Sequence, residues 1–257
     1  MRRAFAGVLL ACLLVISAFV PGCNKSAPDA EVIVAAAASL RGVMPELLAA
    51  YAPGHPGVRV TVSYGASGDL KQQVAGGAPI DVVVLASGKL VDELSRGRFA
   101  DPSSRRVLAT NQLVLIGPKG GKKYTFASLD TVPAGEKIAI GNPQSVPAGQ
   151  YAEASLRELG KWDAVQPHLV LAGDVTGVLT YVRHGEVAAG IVYKTEIHGI
   201  ADVEVLDEWK GGPGSRPEVV AAVTTGSPAP AQGRTFVDFL GSPPAQKILS
   251  DYGFGPP

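Results

Sequence analysis

Five residues of this chain stand where a strand meets a helix or at a strand's end, and their types suit anion binding better than bond making. Ser39, Ser67, Ala148 and Val175 each fall at the start of a predicted helix, where the first four N–H groups lack intrahelical partners. Those donors, with the positive end of the helix dipole, form a ready site for negative charge. Tyr193, closing the run Gly190-Ile191-Val192, adds a phenol O–H. Apart from Arg41 and Lys194, no basic residue is a near neighbour of any of the five. An anion held here would rest on neutral dipoles, and most of its oxygens would need hydrogen bonds, because an unpaired buried charge is very costly. Each residue also has a plainer reading. Serine is a common N-cap, Ala148 and Val175 carry no reactive side chain, and a tyrosine is often a half-buried core residue.

Other chemistries fail on spacing. Gly65-Ala66-Ser67-Gly68-Asp69 lacks the final glycine of a nucleophile elbow. Gly117-Pro118-Lys119-Gly120-Gly121-Lys122-Lys123 has the wrong glycine spacing for a phosphate loop, with no Ser or Thr after the lysine pair, and reads as a solvated turn. His55, His168, His184 and His198 show neither the i, i+4 spacing of a zinc pair nor cysteine partners, and read as isolated surface side chains. Asp69 is a favourable first-turn acid, and Glu153 with Arg157 a surface i, i+4 ion pair. With no convincing acid, base, nucleophile or metal set, catalysis is not expected.

The elements that must position the five residues alternate short β-branched runs with helical stretches, the pattern of an open α/β sheet. Strands are predicted at 31–34, 58–62, 80–85, 111–116, 137–140, 168–171, 189–193 and 217–223. Helices are predicted from Leu40 to Tyr51, with a kink at Pro45, from Ser67 to the stop at Gly76-Gly77-Ala78-Pro79, after Ser87, over 148–159 and 175–182, and around 236–240 and 245–249. Junctions after the carboxyl ends of such strands gather at one edge of a sheet, where ligands bind. Two of the four junctions lie in each half of the chain, so an anion would be gripped between two lobes. The run 111–116 is placed to cross from one lobe to the other.

The N-terminus sets the address. Met1-Arg2-Arg3 precedes an uncharged, mostly apolar run from Ala4 to Val20, a signal-peptide pattern. The run is shorter than the ~20 residues of a spanning helix. Val20-Pro21-Gly22-Cys23 resembles a bacterial lipobox, although Pro21 is unusual there, so residues 1–22 are expected to be cleaved and Cys23 lipidated. The alternative is a secreted protein with a free N-terminal thiol. Cys12 would leave with the leader, so no intrachain disulfide can form. Without Arg2 and Arg3 the mature chain keeps 21 basic against 23 acidic residues, net −2, which argues against nucleic acid as a partner. Its length and an apolar content of 46% suit more than one core.

In several motifs, taken in order, the chain resembles the molybdate-binding proteins of ABC importers. The motifs are Ala36-Ala37-Ala38-Ser39-Leu40, Gly76-Gly77-Ala78-Pro79-Ile80-Asp81, Val146-Pro147-Ala148-Gly149, Asp174-Val175 and Gly190-Ile191-Val192-Tyr193. The resemblance runs from about Val32 to Phe254. Where relatives often have a Ser-rich stretch, this chain reads Tyr64-Gly65-Ala66-Ser67-Gly68-Asp69. The resemblance implies a two-lobed α/β fold of the type II periplasmic-binding-protein kind, each lobe a mixed sheet flanked by helices, joined by two crossover strands. On that pattern a tether spans 23–30, the first lobe 31–109 and 218–257, and the second 110–217. It also implies that Ser39, Ser67, Ala148, Val175 and Tyr193 hold the oxyanion, through the hydroxyls of Ser39, Ser67 and Tyr193 and the N–H groups of Ser39, Ser67, Ala148 and Val175. Molybdenum would then be bound only as molybdate, with no direct protein ligand to the metal. Implied further are molybdate or tungstate as guest, no cofactor, a monomer outside the cytoplasm, and an ABC permease as partner. Two alternatives stay open: a receptor for another oxyanion such as sulfate, and an enzyme or sensor on the same scaffold.

Overall fold

The structure is a computed structural model describing residues 30–211 and 216–257; the expected leader, most of the tether and Cys23 lie outside the described residues. The first part of the chain alternates β1 (Ala30–Ala37), α1 (Met44–Tyr51), β2 (Val58–Gly65), α2 (Ser67–Ala75), β3 (Val82–Leu85), α3 (Gly88–Arg96) and β4 (Arg106–Thr110). The middle holds β5 (Leu113–Pro118), β6 (Ile138–Gly141), α4 (Pro147–Glu158), α5 (Trp162–Val165), β7 (Leu169–Ala172), α6 (Val175–Arg183), β8 (Ala189–Tyr193) and β9 (Val203–Glu208). The last part adds β10 (Glu218–Val223), α7 (Pro230–Leu240) and α8 (Pro243–Asp251).

These strands build two five-stranded sheets, one per lobe, ordered β2-β1-β3-β10-β4 and β7-β6-β8-β5-β9. In each, three neighbouring strands are parallel and one strand between its neighbours is antiparallel: β10 against β3 and β4, β5 against β8 and β9. The sheets are therefore mixed, as expected. Sequence explains which strands are central. Val82 to Leu85 of β3 and Ala189 to Tyr193 of β8 are buried throughout, as apolar runs covered on both faces must be. In β2, by contrast, the half-buried Val58, Val60 and Val62 alternate with the exposed Arg59, Thr61 and Ser63, the period-2 pattern of a strand with one wet face.

The chain passes between the sheets twice, from β4 to β5 and from β9 to β10. The crossings are hydrogen-bonded to each other where Asn111 N–H donates to Pro217 O at 2.8 Å. The buried Asn111 side chain donates to Thr195 Oγ1 at 2.9 Å and accepts from Gln112 N–H at 2.9 Å, which fixes the hinge polar groups where water is excluded.

Local chemistry departs from expectation in several places, and β4 and α5 were not anticipated. Pro45 does not kink a helix: a 3-10 turn at Ala38–Leu40 ends first, and α1 starts at Met44 with Pro45 in its first turn, where a missing N–H costs nothing. The crossing at 111–112 is not strand, and β5 begins only at Leu113. The edge strand β9, Val-Glu-Val-Leu-Asp-Glu, was not anticipated because half its residues are acidic. Three histidines are not isolated: His55 stacks on Tyr51 with centroids 3.9 Å apart, His198 stacks on Tyr252 at 4.5 Å, and His168 Nδ1 lies 3.1 Å from Glu136 O.

Candidate functional site

The five residues singled out from sequence converge on one cavity at the junction of the lobes. Its walls are Ala37, Ala38, Ser39, Gly65, Ala66, Ser67 and Ala86 from the first sheet's side, and Val146, Pro147, Ala148, Asp174, Val175 and Tyr193 from the second's. Every one of these is at or just beyond the carboxyl end of a parallel strand or on the helix start that follows it, the edge where α/β sheets bind ligands. The cavity is small, with a volume of about 10 Å³. Such a space admits one compact guest and no sugar or peptide.

Each wall residue reaches the cavity for a local reason. Ser67 is the first residue of α2 and Ala66 its N-cap, so Ser67 does not cap the helix as serine often does. Instead its Oγ accepts from Ala86 N–H at 3.1 Å, which occupies an oxygen lone pair and leaves the hydroxyl proton free to donate. Ser39 sits within the 3-10 turn, also not as a cap. Ala148 follows Pro147 in the first turn of α4, and Val175 opens α6 behind the N-cap Asp174. Both helices aim first-turn N–H groups and the positive ends of their dipoles at the cavity. Gly149 allows this approach: a Cβ there would collide with the carbonyl of Gly141 at the end of β6.

The hydroxyls carry the clearest signal. Ser39 Oγ and Tyr193 Oη are buried with no hydrogen-bond partner among the described residues. A buried polar group left unsatisfied costs about 1–3 kcal/mol, and two facing one cavity mark a place for a guest that accepts hydrogen bonds. Burial, reinforced by the nearby Tyr151 and Glu196, pushes the Tyr193 phenol well above its ordinary value. It therefore remains a protonated donor at every physiological pH.

The electrostatics are those of a donor cage without a counter-ion. Among the described residues no Lys or Arg lines the cavity; of the two basic residues near it in sequence, Arg41 lies with its guanidinium carbon 4.7 Å from the Tyr64 ring centroid, and Lys194 pairs with Glu208 at 2.6 Å. One carboxylate, Asp174, is in the wall, and its Oδ1 accepts from Gly177 N–H at 2.8 Å as the cap of α6. Asp69 is a first-turn acid of α2 and does not line the cavity. Glu153 and Arg157 form their exposed i, i+4 pair at 2.7 Å.

Sequence reasoning passed over three contributors. Ala86 acts through its backbone alone, so no side-chain signal existed. Asp174 was quoted only for its place beside Val175. Gly68 donates its N–H across the cleft to Ser145 O at 2.9 Å, and the glycine in Ser67-Gly68 was the one available hint.

A two-lobed α/β fold whose two crossings bring helix starts from both halves around one small cavity defines a solute receptor. Residues 32–255 match the model of the bacterial extracellular solute-binding proteins, and the chain belongs to that family. It is a binding protein, not an enzyme. It is similar to the molybdate-binding protein ModA of Escherichia coli, with 33% identity over 90% of this chain and 91% of that one. A Bacillus subtilis protein, YvgL, provisionally named a substrate-binding lipoprotein of an ABC transporter, is 34% identical over 97% of this chain and 96% of its own length. Among solved structures, the periplasmic molybdate-binding protein of Azotobacter vinelandii superposes with a TM-score of 0.77 at 26% identity, covering 88% of this chain and 99% of that one.

Proposed function

We propose that this protein captures molybdate outside the cytoplasm and delivers it to an ABC permease, with Ser39, Ser67, Ala148, Val175 and Tyr193 as the residues that hold the oxyanion. The observation that carries the reading is the pair of buried, unpartnered hydroxyls, Ser39 Oγ from one lobe and Tyr193 Oη from the other, facing one cavity. Three hydroxyls and the first-turn amides of α2, α4 and α6 would replace the water shell of one dianion. Because the guest contacts both lobes, it stabilises the closed form over the open one, and that difference is what drives closure. The lobes on this reading are 31–109 with 218–257, and 110–217.

Selection follows from donor chemistry and size. A donor cage suits a fully deprotonated tetrahedral dianion, whereas hydrogen phosphate brings a proton that needs an acceptor. Tungstate matches molybdate in charge, shape and nearly in size, and is bound as well. Sulfate, with shorter bonds, fits loosely. Calorimetric titration of the mature chain with molybdate, tungstate, sulfate and phosphate tests this, and a preference for sulfate or phosphate overturns it. The protein acts as a monomer without a cofactor, tethered through a lipid on Cys23. Replacement of Cys23 by Ala is expected to release it from the membrane fraction; retention there would defeat the lipid anchor.

A further inference from the structure

Beside the oxyanion cavity and sharing its Ala38–Ser39 wall lies a second interlobe cavity of about 220 Å³, open to water-sized spheres and lined by Arg41, Gly42 and Tyr252 from one lobe and Thr176, Glu196 and His198 from the other. Glu196, on the turn that follows β8, is half-buried there. Its one hydrogen bond is a long one, from Thr176 Oγ1 at 3.3 Å. Among the described residues it has no ion pair: Arg41 lies over Tyr64, and the neighbouring Lys194 is paired with Glu208 at 2.6 Å on the outside. A carboxylate so placed keeps only part of its water between the two lobes and gains little in return, which tips its balance toward taking up a proton.

We propose that Glu196 is a proton-binding site coupled to anion capture: as the lobes close over the oxyanion, the Glu196 carboxylate is protonated, so that one proton is taken up with the dianion. The charged and titratable groups around it all bear on this. Asp174, the cap of α6, adds negative charge and raises its proton affinity, as the bound dianion does. Arg41 and the Thr176 hydroxyl oppose protonation. Tyr193 stays neutral, and His198 is stacked on Tyr252 in the same cavity. In this structure, where Gly68 N–H bonds across the cleft to Ser145 O at 2.9 Å, burial pushes Glu196 up to about 7 from an ordinary 4.5. The sign follows directly. A group whose proton affinity rises on closure favours closure at low pH and loses that contribution as pH climbs through the closed-state value. Affinity should therefore fall as pH rises from about 5 to about 8, flattening above.

This inference rests on the oxyanion reading above. The test is calorimetry of molybdate with the mature chain between pH 6 and 9, each pH in two buffers of different ionisation enthalpy. Net proton uptake is expected near pH 6.5, vanishing by pH 9, with Kd about tenfold weaker at pH 8 than at pH 6. Glu196→Gln is expected to abolish the uptake and flatten the pH profile. Arg41→Gln, at an exposed position, is expected to move the falling limb to higher pH, a shift that a merely structural role would not produce. Binding without proton uptake, or uptake that persists in Glu196→Gln, overturns the inference while leaving the oxyanion reading intact; failure of molybdate to bind at any pH overturns both.

Discussion

The N–H of Gly68, at the start of α2, donates to the carbonyl oxygen of Ser145, just ahead of α4, at 2.9 Å. This bond spans the cleft and joins backbone to backbone, next to two of the helix starts that line the oxyanion cavity. A Cβ added at position 68 would lie 2.6 Å from that oxygen and 2.9 Å from Ser145 Cα, a clash with main chain that no side-chain rotation relieves.

Gly68→Ala is accordingly expected to oppose closure without harming the open form. Overpacking of this kind costs about 1–3 kcal/mol, so molybdate affinity should fall roughly 5- to 150-fold. The ligand-free melting temperature should hold or rise slightly, since Ala is favoured over Gly in a helix by up to ~1 kcal/mol. Titration calorimetry and thermal melts check the two halves, and unchanged affinity would remove the Gly68–Ser145 contact from the closing mechanism.

The two serines should separate. Ser39→Ala removes a hydroxyl with no protein partner, so affinity should drop by about 1.5–3 kcal/mol, as for a hydrogen bond to a charged group, while the empty protein is no less stable. Ser67→Ala also strips Ala86 N–H of its acceptor, and should lower both affinity and ligand-free stability, the latter by about 1–3 kcal/mol. Equal melting temperatures for the two variants would contradict the assigned difference.

Tyr193→Phe should weaken oxyanion binding while leaving the fold intact, for the same reason as Ser39→Ala. Phenols of Tyr51, Tyr64, Tyr151 and Tyr193 are all raised by burial. A raised value in the fold means stability that is complete below the ordinary value of 10.0 and is lost as pH climbs past it. Melting temperature should therefore hold on the alkaline side up to about pH 10 and decline beyond it; a decline tracking tyrosine ionisation well below that pH would refute the assignment.

Asp81, inside one of the motifs that carry the resemblance, has a structural role. The carboxylate is fully buried and accepts from Ile33 N–H at 2.7 Å, Ser227 Oγ at 2.5 Å and Ala229 N–H at 3.2 Å. It ties β1 to the loop before α7. Asp81→Ala takes the acceptor from Ile33 N–H and from the Ser227 hydroxyl, while Ala229 N–H keeps Ser227 Oγ at 3.1 Å; it is expected to cost about 1–3 kcal/mol of stability with little change in affinity for the fraction that folds, measurable by urea unfolding.

What the sequence determined by itself is local. Apolar runs such as Val82 to Leu85, the junction residues Ser39, Ser67, Ala148 and Val175, and the prolines and glycines that bound helices are all short-range signals, and they were enough for the α/β alternation and for the residues that the fold brings to one cavity. Only the tertiary structure decided that Ser67 serves as acceptor to Ala86 and not as a helix cap, that Gly68 meets Ser145, that Asp174 enters the wall, and that Glu196 and Arg41 face one cavity from opposite lobes. These are pairings between residues far apart in the chain, made largely through backbone groups that every residue carries alike. A sequence holds no local mark of which amide will meet which oxygen; the packing of the two sheets across the hinge makes that choice.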